Sequence, residues 1–185
     1  EHIHWHKEKF KNMANVYPKL RDRIIVLNGV SKAYSMTGWR IGYAAGNKEI
    51  IKKMKTLQSQ STSCASSISQ AAACTALSSE CKELPLMTAE YKKRHDYVVS
   101  KLNEIPGVTC KETDGTFYVF PSFIKYIENS DTINDDSELA LYLLNTAKVA
   151  VVPGSAFGTK GHIRISIAID ISSLEDAMQR ISDSL

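Results

Sequence analysis

Residues Asn28 to Gly46 read NGVSKAYSMTGWRIGYAAG, and the placing of charge in this stretch decides how the chain is read. Lys32 is the only ionisable cation between Ile24 and Trp39, among residues that are otherwise apolar, small or neutral. A lone lysine in a small-residue loop at the end of a buried strand sits where the sites of α/β folds gather. Partial burial beside a second cation favours the neutral, nucleophilic amine, and Arg40, eight residues on, is placed to be that cation. A planar guanidinium between Trp39 and Ile41 suits a bidentate grip on phosphate or carboxylate. The plainer alternative is a solvated lysine and an arginine paired with an ordinary carboxylate.

Outward from this stretch the pattern alternates between strand and helix. Residues 24–28 (IIVLN) are β-branched and apolar, as in a buried strand, and residues 40–45 (RIGYAA) form a second candidate strand. A polar, glycine-bracketed loop or short turn lies between them. Asn47 can cap a helix carrying Ile50, Ile51, Met54 and Leu57 at helical spacing, and residues 66–77 predict another helix. Pro85 opens a long helix to about Leu102. Strands are expected at 108–112 and 116–120, with Gly115 turning between them. Ser137 is the expected cap of a helix running to about Ala147, followed by strands at 149–152 and 163–169. Ser172 or Ser173 caps a last helix, with Leu174, Ala177, Met178 and Ile181 on one face. The sum is a mixed α/β chain whose smaller sheet is largely antiparallel.

A third charge stands out within that last sheet. In HIRISIAID the isoleucines at 163, 165, 167 and 169 alternate with Arg164, Ser166 and Ala168, so Arg164 projects from the face opposite the apolar one. An anionic ligand would satisfy it, and so would an ordinary ion pair.

Composition narrows the function classes. The net charge is only +3 and no basic block is interleaved with aromatics, which argues against nucleic acid. No apolar run approaches the roughly 18 residues of a membrane span. Cys64, Cys74, Cys81 and Cys110 form no C-x-x-C pair, so a zinc site is not expected, and scattered cysteines fit a reducing, cytoplasmic setting. His2, His4 and His6 would share one face of a strand and could bind a metal, but a surface connection is the favoured reading. Asp135 and Asp136 look like helix-start acids. The chain opens on Glu1 in EHIHWHKEKF, which reads as part of something longer.

The Asn28–Gly46 string resembles the cofactor-lysine segment of the class I, fold type I aminotransferases, the aspartate aminotransferase-like enzymes that use pyridoxal 5'-phosphate. Small residues precede the lysine, an aromatic follows two later, and M-T-G-W-R-I-G-Y places arginine at plus eight. The likeness continues through QSQSTS (58–63), DGTFYVFP (114–121), VVPGSAFG (151–158) and HIRISIA (162–168).

That resemblance implies a partial fold type I architecture. Residues 1–80 would be the end of the large cofactor-binding domain and interdomain helices, and 81–185 the connecting helix and small C-terminal domain. It implies transamination between an amino acid and a 2-oxo acid, aspartate by family likeness, in a homodimer of the longer chain. Lys32 would be the Schiff-base lysine and would move the proton between substrate and cofactor; Arg40 would bind the cofactor phosphate. Arg164 would hold the substrate carboxylate, and Phe117 and Tyr118 would line the pocket, with the backbone near Gly154 and Gly158 shaping it. Gly29 stands where some relatives carry a phosphate-binding serine. The glycine-rich loop, ring-stacking aromatic, asparagine, aspartate and tyrosine of the family precede the lysine segment and are not among these residues. This segment alone is therefore expected to be inactive. Elimination or decarboxylation on the same lysine, and a non-catalytic relative kept for assembly or binding, are the alternatives.

Overall fold

The computed structural model describes residues 1–78 and 80–185. The chain divides into two compact units, one of residues 1–2 and 7–85, the other of residues 3–6 and 86–185.

The first unit holds α1 (Met13–Val16), β1 (Val26–Gly29), α2 (Val30–Ala33), β2 (Gly42–Ala45), α3 (Lys48–Ser61) and α4 (Ser67–Ser78), with 3-10 turns at Pro18–Arg23 and Thr37–Trp39. β1 and β2 form an antiparallel ladder in which Val26 faces Ala45 and Gly29 faces Gly42. Asn47 caps α3, its side chain accepting from the Glu49 and Ile50 amides, as the sequence predicts. The expectation of a buried first strand is not met. Leu27 is 73% exposed, because a two-stranded ribbon can cover only one of its faces. Among the described residues of this unit, only Val30, Ala33 and Ala73 are buried apolar side chains.

The second unit carries the main hydrophobic core. α5 (Glu83–Asn103) enters it at Leu86; Pro85 lies at the helix's third position, inside the first turn, where an amide would have no intrahelical acceptor. After it come β3 (Tyr118–Val119), α6 (Ile124–Glu128), α7 (Asp136–Asn145), β4 (Val152–Pro153), β5 (Ile163–Ser166) and α8 (Ile171–Ser184). The sheet order is β3-β5-β4, every pairing antiparallel. Val98, Val99 and Leu102 of α5, Leu139 and Leu143 of α7, Ile163 and Ile165 of β5, and Leu174, Met178 and Ile181 of α8 pack into one cluster. The predicted apolar face of α8 is thus the buried one.

Three local expectations are corrected. Residues 108–112 are not a strand: Thr109 alone pairs with Ser122, and the Asn103 side chain takes both backbone groups of Cys110, at 2.9 and 2.8 Å. Gly115 does not turn a hairpin, since it bridges to His4, and a Cβ there would lie 2.6 Å from the Ile3 carbonyl oxygen. The caps of α7 and α8 are Asp135 and Asp170, not serines; from extended backbone Asp135 accepts the Ser137 and Glu138 amides and Asp170 the Ser173 amide.

The Ile3–His6 segment is strapped onto the second unit. Trp5 N–H donates to Asp114 O and Thr116 N–H to Ile3 O, each at 2.9 Å, while the Trp5 indole donates to Thr113 O at 2.6 Å. Beneath the indole lies His95, 1% exposed, with ring centroids 5.0 Å apart. The Thr113 amide can only donate, so His95 Nε2 accepts it at 3.1 Å and Nδ1 donates to Asp96 at 3.0 Å. Burial would raise the Asp96 carboxyl, but bonds from Lys92 and His95 hold it below the usual carboxylate range.

Candidate functional site

Lys32 and Arg40 lie in the first unit, at one end of the β1–β2 ladder. The last ladder pair is Gly29 with Gly42, so Lys32 follows it by three residues on one strand and Arg40 precedes it by two on the other. Close approach explains these glycines: a Cβ on Gly29 would sit 3.2 Å from the Ile41 carbonyl oxygen, and one on Gly42 would sit 3.3 Å from that of Asn28. A serine at position 29 would need that backbone to give by a few tenths of an ångström.

α2 is a single turn whose Val30 and Ala33 face inward. Lys32, between them, therefore points outward and is exposed, contrary to the partial burial expected from sequence. Two non-glycine residues that follow it, Ser35 (φ 53°) and Arg40 (φ 50°), adopt left-handed backbone. Such conformations cost energy and cluster at functional sites. At Arg40 the twist lets Nη1 donate back to Thr37 O at 2.9 Å, which steadies the guanidinium from its own turn. Among the described residues no carboxylate pairs with Arg40. This ladder end offers a primary amine and a guanidinium, interspersed with the hydroxyl-bearing residues Ser31, Ser35 and Thr37. Such a donor set fits a ligand carrying an aldehyde and a phosphate.

Arg164 and Phe117 lie in the second unit. β5 places Arg164 opposite Val152 of β4, and Tyr118 of β3 opposite Ser166, so Arg164 and Tyr118 are diagonal neighbours on one sheet face. Ile163 and Ile165 occupy the other, buried face. The guanidinium carbon lies 4.4 Å from the Tyr118 ring centroid and 4.6 Å from that of Phe157. Two rings therefore hold it by cation–π contact, and among the described residues no carboxylate pairs with it. An arginine oriented by aromatic faces keeps its hydrogen-bonding edge for an incoming anion.

Phe117 contacts the Tyr118 ring at 4.3 Å and Tyr91 at 6.2 Å, and it packs against the core. Phe157 is the residue that sequence reasoning missed. It stands in VVPGSAFG with no periodicity to mark it, on a 3-10 turn (Gly154–Phe157) ended by left-handed Gly158. By sequence Asp136 is a helix-start acid; the structure gives it a further contact. Its side chain is buried, 2% exposed, and reaches across to the Ser155 and Gly161 amides. His2 accepts or donates at the Tyr34 hydroxyl, 3.2 Å away, and no metal-binding group of three side chains occurs among the described residues.

Residues 3–181 match the family "Aminotransferase class I and II". The chain is 45% identical to an aspartate aminotransferase of Rhizobium meliloti, over 98% of this chain and 45% of that protein. It is 42% identical to an aspartate/prephenate aminotransferase of Nitrosomonas europaea, over 100% of this chain and 48% of that protein. The crystal structure of the aspartate aminotransferase from Rhizobium meliloti superposes with a TM-score of 0.92 at 44% identity, covering 99% of this chain and 47% of that one. The chain thus spans about half the length of the curated relatives it matches. By sequence and fold alike, the chain belongs to the class I and II aminotransferase family.

Proposed function

We propose that this chain supplies the cofactor lysine and two anion-binding arginines of an enzyme that moves an amino group between an amino acid and a 2-oxo acid. The observation that carries the reading is Arg164, a guanidinium clasped by two aromatic rings and paired with no carboxylate among the described residues.

Pyridoxal 5'-phosphate, when bound, supplies an aldehyde for the amino group and a ring that withdraws electrons from the substrate α-carbon. Lys32, at the ladder end, would be the residue that holds the cofactor through its amine, and the same amine would carry a proton to and from the substrate α-carbon. Arg40, its guanidinium held by the Thr37 carbonyl, would neutralise the cofactor phosphate. Arg164 grips the substrate carboxylate with two parallel N–H donors, which orients the α-carbon bond that must break. Phe117, whose ring touches that of Tyr118, is proposed on family likeness alone to border the substrate. No carboxylate for the pyridine nitrogen is assigned in this chain, so activity is proposed for a longer protein that includes it.

The names of the relatives favour aspartate as amino donor. A homodimer is proposed on family likeness. The four cysteines are free thiols, which supports a reducing, cytoplasmic setting, and no helix among the described residues is long and apolar enough to cross a membrane.

The test is reduction of the protein with borohydride in the presence of pyridoxal phosphate, followed by intact mass and peptide mapping. A phosphopyridoxyl adduct on Lys32 is the expected result. An adduct confined to other lysines, unchanged in Lys32→Ala, would refute the reading.

A further inference from the structure

Phe157 is half exposed; its ring meets that of Phe120 edge-on at 6.3 Å and lies 4.6 Å from the Arg164 guanidinium. What fixes it is the loop that carries it. Gly154 N–H donates to His162 O at 2.7 Å, Thr159 N–H to Gly154 O at 3.0 Å, and Gly158 N–H to Ser155 O at 3.0 Å, closing residues 154–162 on themselves. A Cβ on Gly154 would run into the Thr159 carbonyl oxygen, so the closure admits no larger residue there.

One side chain from outside the loop ties its two limbs together. Asp136 opens α7, but its carboxylate turns away from its own helix, whose first amides are already taken by Asp135 at 2.8 Å each. Asp136 Oδ2 accepts the Ser155 amide at 2.7 Å and Oδ1 accepts the Gly161 amide at 3.3 Å. Burial would raise this carboxyl, but the bonds from the Ser155 amide and hydroxyl and the Gly161 amide outweigh it and hold the group below the usual carboxylate range. A carboxylate bound by amides on both limbs of a loop sets the loop's opening and so the height of the ring it carries.

We infer that Asp136 is a positioning residue for substrate-carboxylate binding: through the Ser155 and Gly161 amides it holds Phe157 on the Arg164 guanidinium. This rests on the reading of Arg164 as the carboxylate clamp. The causal chain runs from a buried carboxylate on α7, through a loop, to a ring and then to the arginine, and the aspartate itself touches no substrate.

The test is a double-mutant cycle in the complete, cofactor-loaded protein, with Asp136→Asn, Phe157→Ala, the pair, and Arg164→Ala as control. An amide at position 136 turns an N–H₂ toward one of the two backbone donors, so one of the two ties is lost. KM for the amino acid and for the 2-oxo acid rises roughly 5- to 20-fold in each single variant, with kcat changed much less. In the Phe157→Ala background the aspartate substitution adds less than about twofold, because its effect passes through that ring. The affinity for pyridoxal phosphate stays that of the parent in all of them. Additive effects of the two substitutions, or an unchanged KM in Phe157→Ala (a half-exposed site that tolerates truncation), overturn the inference. If Arg164→Ala keeps the parent KM for both substrates, the carboxylate-clamp reading itself fails and the inference falls with it. An impaired Arg164→Ala beside an additive cycle sinks the Asp136 inference alone.

Discussion

Replacing Arg164 by lysine keeps the charge and removes the geometry. Lysine offers a point charge on a flexible stem, so one of two parallel bonds to a carboxylate is lost. A hydrogen bond to a charged group contributes about 1.5–3 kcal/mol. The planar group also leaves two ring faces at 4.4 and 4.6 Å. Each such contact is worth about 0.5–1 kcal/mol at a partly exposed site, and an ammonium recovers part of it. The net loss is about 2–4 kcal/mol, or roughly 30- to 1,000-fold in kcat/KM. Because both substrates carry the carboxylate, the loss is the same for amino acid and 2-oxo acid. The assay is steady-state kinetics in both directions on the complete protein, beside titration of pyridoxal phosphate by its absorbance. A loss below about threefold would refute the reasoning, and so would a parallel fall in cofactor affinity, which would mean that Arg164 serves the fold rather than the substrate.

Further outcomes follow from burial and hydrogen bonding. Leu143→Ala, at a fully buried site in α7, destabilises the second unit by about 2–5 kcal/mol in denaturant unfolding, while Leu141→Ala on the exposed side changes it by less than about 0.5 kcal/mol. His95→Leu strands the Thr113 amide, at a cost of about 1–3 kcal/mol, and loosens the Ile3–His6 strap; hydrogen exchange at the Thr116 amide, bonded to Ile3, should accelerate, and unchanged exchange would show that the histidine does not hold the strap. Burial pushes the Cys110 thiol up to about 11, against a smaller lowering from the Phe120 backbone, and the residue is only 4% exposed. An alkylating reagent at about pH 8 therefore labels Cys64 and Cys74 and spares Cys110 until the protein unfolds. Since the folded-state value is raised, the stability Cys110 contributes is complete below the ordinary thiol value and falls away as the pH rises toward 11; Cys110→Ala should flatten that alkaline loss.

Periodicity made the helices legible. Asn47 followed by an acidic first turn, and the 174, 177, 178, 181 stripe, are local patterns that specify a cap and a buried face wherever the chain is placed. The alternation in HIRISIA likewise sets Arg164 on the face opposite the buried isoleucines, whatever strand pairs beside it. The lysine segment was legible for a different reason, since its odd charge placement has few uses and the family likeness names one.

Other features depended on residues distant in sequence. Asn103 takes the backbone groups that would have made 108–112 a strand, and His4 takes the bridge at Gly115 that would have made a hairpin. A side chain seven residues away and a segment more than a hundred away compete for the same backbone donors and acceptors, and nothing in the local pattern shows who wins. Asp136 reads as a helix-start acid because its own helix is all the sequence displays. Only folding brings Ser155 and Gly161 to its oxygens, and Phe157 and Tyr118 against one guanidinium. Residue type and short-range spacing are written along the chain, so the sequence by itself determined the helix faces and the candidate lysine and arginines. Which buried polar group meets which partner is a question of three-dimensional proximity, and for this protein the tertiary structure alone decided it.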